Sequence, residues 1–161
     1  MNNQDAFEFS PQSDNPEDQL VTETISSFTL QAIAGLIIKL GDIAKVHFPE
    51  DGDEGDYEAG QWLVALGKEF GGQVMSQCYH VQAVDLDKDI PFTIPATYTA
   101  KVCRILTDAL RRGKITPDMH EAWTPFAKAA LLLTPDGEAL LRRAEFRKDN
   151  PDHPGLRAHL N

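Results

Sequence analysis

Residues 15–47 read NPEDQLVTETISSFTLQAIAGLIIKLGDIAKVH. The first four carry the chemistry of a helix start. Asn15 supplies a side-chain acceptor at the cap, Pro16 stands where its missing N–H costs nothing, and Glu17 and Asp18 meet the positive end of the helix dipole. From there Val21, Ile25, Phe28, Ala32, Leu36, Leu40 and Ile43 recur at steps of three and four, and Leu30, Ile33 and Ile37 widen the stripe until the middle is apolar nearly all round. The spacing predicts one helix from 16 to about 47, at the centre of a bundle.

Outward from it, Ala59, Trp62, Leu66, Phe70, Val74, Cys78 and Val81 share one helical face, which predicts a second long helix over about 56–84. Gly60, Gly67, Gly71 and Gly72 interrupt it at about 1 kcal/mol each relative to Ala. They either break it near Gly71-Gly72 or admit a neighbouring backbone. Pro91 and Pro95 make 85–97 a crossing loop, with Phe92 and Ile94 alternating as in a short edge strand. A third helix, about 96–112, turns Tyr98, Val102, Ile105, Leu106 and Ala109 inward and ends at Gly113. Thr116-Pro117-Asp118, Thr124-Pro125 and Thr134-Pro135-Asp136 each read as a helix start, so short helices are expected there. Pro125 to Leu133 is expected to be buried, and Ala139, Leu140 and Phe146 are expected inward on the helix over 135–148. The fold class is all-α: a single-domain helical bundle of about five or six helices over 16–148, with a disordered acidic lead-in over 1–15, one long proline-containing loop, and a C-terminal tail over 149–161.

The net charge of −10 on 161 residues is an N-terminal property, since residues 1–60 carry 13 Asp/Glu against 2 Lys/Arg and residues 101–161 carry 8 against 11. Its densest point is Glu50, Asp51, Asp53, Glu54, Asp56 and Glu58. A negative chain is repelled by phosphate backbones and anionic lipid, so direct nucleic-acid and membrane partners are disfavoured. The start lacks a basic segment followed by an apolar one, and the apolar run Leu30–Ile38 is short of the roughly 20 residues a bilayer needs. A cytoplasmic location is expected, with Cys78 and Cys103 as thiols.

No chemistry-bearing motif stands out. Asp51, Asp53 and Asp56 miss calcium-loop spacing, and Asp85, Asp87 and Asp89 lack the turn glycine and the closing glutamate. His120-Glu121 has Thr124 where a second zinc ligand would stand, and His47, His80, His153 and His159 are scattered. Cys78 and His80 fall about 200° apart on a helix, and no nucleophile elbow or phosphate loop is present. No catalytic residue, cofactor or metal is assigned.

These readings favour a non-catalytic accessory protein. It would bind a protein partner with a basic surface, such as a nucleic-acid-binding protein, through Glu50, Asp51, Asp53, Glu54, Asp56 and Glu58, as inhibitor, adaptor or nucleic-acid-mimicking decoy. Two alternatives stand beside it: a DNA-binding regulator using Arg142, Arg143, Arg147 and Lys148, and an enzyme whose site is assembled only in space. The apolar helix over 28–40 and the second helix's glycines suit a homo-oligomer interface as well as a core.

Overall fold

A computed structural model describes residues 19–149. The expected helix start at Asn15-Pro16, the lead-in over 1–15 and the tail beyond Asp149 lie outside the described residues. The first element is a strand, β1 (Leu20–Ser26), followed without a break by α1 (Ser27–His47), so the single helix expected from 16 to 47 is corrected over its first part. Val21 and Ile25 are four residues apart, which returns to the same face in a helix and in a strand alike. What decides is the β-branched content of Val21, Thr22, Thr24 and Ile25. The helix then begins at Ser26, whose Oγ accepts from the Thr29 N–H at 3.1 Å.

The partner of β1 is β2 (Asp89–Pro95), antiparallel, with Val21 opposite Ile94, Glu23 opposite Phe92 and Ile25 opposite Ile90. The fold is therefore mostly helical but carries a two-stranded sheet, and the expected edge strand around Phe92 and Ile94 is present. Between the strands run α1, α2 (Glu54–Cys78) and a single 3-10 turn over Ala83–Asp85; after β2 come α3 (Ala96–Arg111), α4 (Pro117–Leu132) and α5 (Gly137–Asp149). Five α-helices among the described residues agree with the expected number.

The helices pair as two hairpins, α1 with α2 and α3 with α4, joined through the ribbon, against which α4 lies. Glycines make the first hairpin tight. A Cβ on Gly41 would stand 3.2 Å from the Cα of Val64, one on Gly60 would meet Ala44 at 3.3 Å, and one on Gly67 would meet the Cα of Ile38 at 3.4 Å. So α2 runs unbroken past its glycines because α1 approaches there. The buried stripe of α1 is Leu30, Ile33, Ala34, Ile37, Gly41 and Ala44, whereas Phe28 is 64% and Ile43 45% exposed, which rotates the expected face. By length and mean hydropathy of 1.4, α1 is long and apolar enough to cross a membrane; in the fold it gives one stripe to the core and leaves more than half of that window unburied. Its apolar stretch thus runs longer than Leu30–Ile38 alone implies.

The centre of the core is aromatic. Phe70 meets Phe92 and Trp123 edge-on at 5.9 and 5.7 Å, and Trp123 stacks on Phe126 at 4.4 Å, beyond the area effect of burying such rings. Trp123 Nε1 donates to the buried carbonyl of Thr99 at 3.1 Å, tying α4 to α3. The outer edge of β2 is closed by a side chain. Gln77 of α2 donates from Nε2 to the Thr93 carbonyl and accepts from the Thr93 N–H, both at 2.8 Å, as a further strand would.

Three expectations fail in the last third. α4 is one helix with Pro125 inside it, not several short ones, because the stacked Trp123–Phe126 pair fixes it against the core on both sides of the proline. Of Pro125 to Leu133 only Phe126 is buried. In α5 only Gly137 is buried, and Ala139, Leu140 and Phe146 stand exposed, since among the described residues this helix packs chiefly on α4. A Cβ on Gly137 would lie 1.7 Å from the carbonyl oxygen of Leu131, so α5 starts pressed against the end of α4.

Candidate functional site

Because the two hairpins meet at the ribbon, α2 and α3 stand apart and a groove of about 1570 Å³ opens between them. One wall is Leu36 and Leu40 of α1 with Trp62 and Leu63 of α2. The other is Ala100 and Cys103 of α3 with Ala127, Ala130 and Leu131 of α4. Small residues on α3 and α4 leave the space that bulky ones would fill.

The rim is basic. Lys39, Lys101, Arg104, Arg111, Arg112 and Lys114 line the groove, against Asp108 as the only carboxylate lining it among the described residues, and Asp108 is bound to Arg112 at 3.1 Å. Lys101 is held rather than free: its ammonium lies 5.8 Å from the ring centre of Trp62 and 5.3 Å from that of Tyr98, a cation–π seat spanning α2 and α3. Beside it Tyr98 donates to Glu69 at 2.6 Å, which pushes the phenol pKa up to about 12, chiefly through that bond and then through burial. These two links put α2 and α3 antiparallel, so the acidic start of α2 and the basic end of α3 share one end of the groove. Burial pushes the Cys103 thiol up, and likewise the Cys78 thiol in the core; neither is disulfide-bonded.

The candidate residues read from sequence lie elsewhere. Glu50, Asp51, Asp53, Glu54, Asp56 and Glu58 are all exposed and none takes part in an ion pair among the described residues. Asp53 caps α2 by accepting from the Asp56 N–H at 3.1 Å, and Glu54 and Asp56 sit in its first turn, so helix-start chemistry accounts for half the run. The run borders the groove where Ala59, next after Glu58, lines it. Arg142, Arg143, Arg147 and Lys148 are exposed on α5, with Arg142 bound to Glu138 one turn earlier. They are on a different element from the groove.

Among the described residues no three His, Cys, Asp or Glu side chains gather closely enough to share a metal ion. Among the described residues Thr107 Oγ1 and His120 Nε2 stand 3.1 Å apart. Thr107 gives its one proton to the Cys103 carbonyl at 2.8 Å, so the imidazole is the donor and does not act as a base toward that hydroxyl. The sequence reading assigned no function to Lys39, Lys101, Arg104, Arg111, Arg112 or Lys114. The legible signal was Lys101, Arg104, Asp108 and Arg111 at steps of three and four on the outer face of α3. The opposite wall, built by residues some forty to sixty positions earlier, left none.

No family model, curated protein or solved structure matches this chain.

Proposed function

We propose that this is a non-catalytic accessory protein whose docking surface is the groove between its helical hairpins, and that it receives an acidic, amphipathic segment of a macromolecular partner. The observation that carries this is the pairing of an apolar floor with six cations on the rim of an otherwise acidic chain. A volume of about 1570 Å³ exceeds the roughly 300–1000 Å³ typical of small-molecule sites and suits a helix or an extended peptide. The apolar floor supplies affinity, and the rim supplies selection and salt dependence.

Trp62 reports on the groove. Titration with synthetic amphipathic peptides matched in apolar content, one acidic and one basic, is expected to shift its emission only with the acidic one. Binding should weaken with salt and fall at least tenfold in K101E/R104E. Equal response to the basic peptide, or an unaffected double variant, would overturn the reading.

A second reading keeps Glu50, Asp51, Asp53, Glu54, Asp56 and Glu58 as a contact for a basic partner, including the decoy role. What supports it is their exposure and, among the described residues, their freedom from ion pairs, with Glu54, Asp56 and Glu58 fixed on a helix. Its test is binding of a basic, nucleic-acid-binding protein, with all six neutralised; unchanged affinity refutes it.

A further inference from the structure

We infer that the chain forms a two-fold dimer through a second cleft of the α1–α2 hairpin, with α2 crossing α2 of a second copy antiparallel at Gly71-Gly72. This cleft, of about 330 Å³, is lined by Ile38 and Asp42 of α1 and by Val64, Lys68, Gly71 and Met75 of α2. Among the described residues it shares no lining residue with the groove, so the dimer stands apart from the groove reading and leaves both grooves open. Large apolar side chains stand out from it into solvent: Ile38 is 45% exposed, Met75 74%, and Tyr79, one turn past Met75, 82%.

Gly72 is the glycine that the hairpin leaves unexplained. Gly41, Gly60 and Gly67 let α1 and α2 close on each other, but a Cβ on Gly72 would meet nothing within 4 Å among the described residues, and one on Gly71 would meet only the flexible Cδ1 end of Ile38, at 3.3 Å. Two adjacent glycines weaken a helix. Against a second backbone they set a close crossing, because the side chains at the contact fix how near two helix axes come.

Symmetry and charge select a second copy as the occupant. Read outward from Gly71-Gly72, the stripe on α2 has a long unbranched side chain one turn away on either side, Lys68 and Met75, and an apolar one a further turn out, Val64 and Tyr79. A copy turned about a two-fold axis at 71–72 sets Lys68 against Met75 and Val64 against Tyr79, each contact made twice. Ile38 lies against Gly67 and Gly71, so it receives Met75 of the second copy; Asp42 follows Gly41, which lies against Val64, so its carboxylate accepts from the Tyr79 hydroxyl of the second copy. At a net −10 two copies repel over most approaches. The cleft lining, however, carries one carboxylate, Asp42, against Lys45 and Lys68, and Asp42 and Lys45 are paired at 3.7 Å. The face is about 22 Å long from Val64 to Tyr79 and about 20 Å across two packed helices. That is about 900 Å² in projection over both copies, at the lower edge of specific interfaces, and sets a dissociation constant on the order of 10 µM.

Sedimentation of the full chain from about 1 to about 500 µM, on both sides of that constant, is expected to show the mass rising from one chain to two. M75E should weaken the dimer at least tenfold. G72L should do the same while raising the urea midpoint of the dilute monomer by about 0.5 M, since leucine favours the helix and meets no atom of its own chain there. Mild oxidation of K68C mixed with M75C should form the mixed disulfide faster than either variant forms its own. A single-chain mass throughout overturns the inference and leaves the face to an unlike partner. A dimer that survives both M75E and G72L uses another face and overturns it too, as do equal disulfide rates in the mixture and in the separate variants.

Discussion

Substituting Gln77 by Leu removes the side chain that closes the edge of β2 while keeping its approximate volume. Two hydrogen bonds of 2.8 Å to the Thr93 backbone disappear, leaving one N–H and one carbonyl without their protein partners. At about 1 kcal/mol net per neutral hydrogen bond the loss is about 2 kcal/mol, and full desolvation would raise it toward 4. Thr93 and Gln77 are half-buried, so water satisfies part of the freed valence and the lower figure applies. With a denaturant slope of about 2 kcal/mol per molar, the urea midpoint should fall by about 1 M at unchanged slope. Circular dichroism gives the midpoint, and hydrogen exchange gives a local check, since protection of the Thr93 amide should drop before that of the core. Q73L, which removes only the 3.1 Å contact from Gln77 to Gln73, is the control and should shift little. If Q77L and Q73L share a midpoint, or if the Thr93 amide stays protected in Q77L, the clamp does not hold the ribbon and the reasoning is refuted.

Titrating the three tyrosines by their ultraviolet absorbance should show one midpoint near pH 12, absent in Y98F. Its folded value lies above the ordinary tyrosine value of 10.0, so the bond to Glu69 stabilises the fold fully below about pH 10 and ceases to as pH rises through 12. An identical alkaline unfolding profile for Y98F and the unsubstituted chain would remove that contribution. G137A should force the start of α5 away from the Leu131 carbonyl, at a cost of about 1–3 kcal/mol. Because α5 buries little, the strain should appear as faster proteolysis around 133–137 rather than as loss of the whole fold, and an unaltered digestion pattern would contradict the close approach. W123F removes the indole N–H that donates to the Thr99 carbonyl and leaves a gap in the aromatic cluster, for an expected loss of about 2–4 kcal/mol by urea titration; a loss under about 1 kcal/mol would mean that neither matters.

Helix boundaries were legible where chemistry punctuates them. Gly113, with φ of 69°, ends α3 as its position implies, and Thr116 caps α4 by accepting from the Met119 N–H. The strand at 20–26 was hidden because apolar residues four apart satisfy both periods, so only the branched side chains distinguished them. Prolines misled in the opposite direction: Pro125 marks a legal helix start locally, yet packing on either side of it overrides the lost hydrogen bond. The inward face of α5 was assigned on the assumption that each amphipathic pattern finds a core, and the end of α4 supplies none. The groove was half legible, since one of its walls is a stripe on α3 and the other exists only once α1 and α2 have paired.

The antiparallel seating of α2 against α3 has a consequence for orientation. At the end where Arg111 and Arg112 line the groove from α3, the start of α2 carries Glu54, Asp56 and Glu58 just outside the groove, so a negative border stands opposite a positive wall. The field there points across the channel rather than along it. An incoming segment is thereby sorted by its rotation about its own axis: one that carries acidic residues along a single flank has one favourable roll angle, and one charged all round has none.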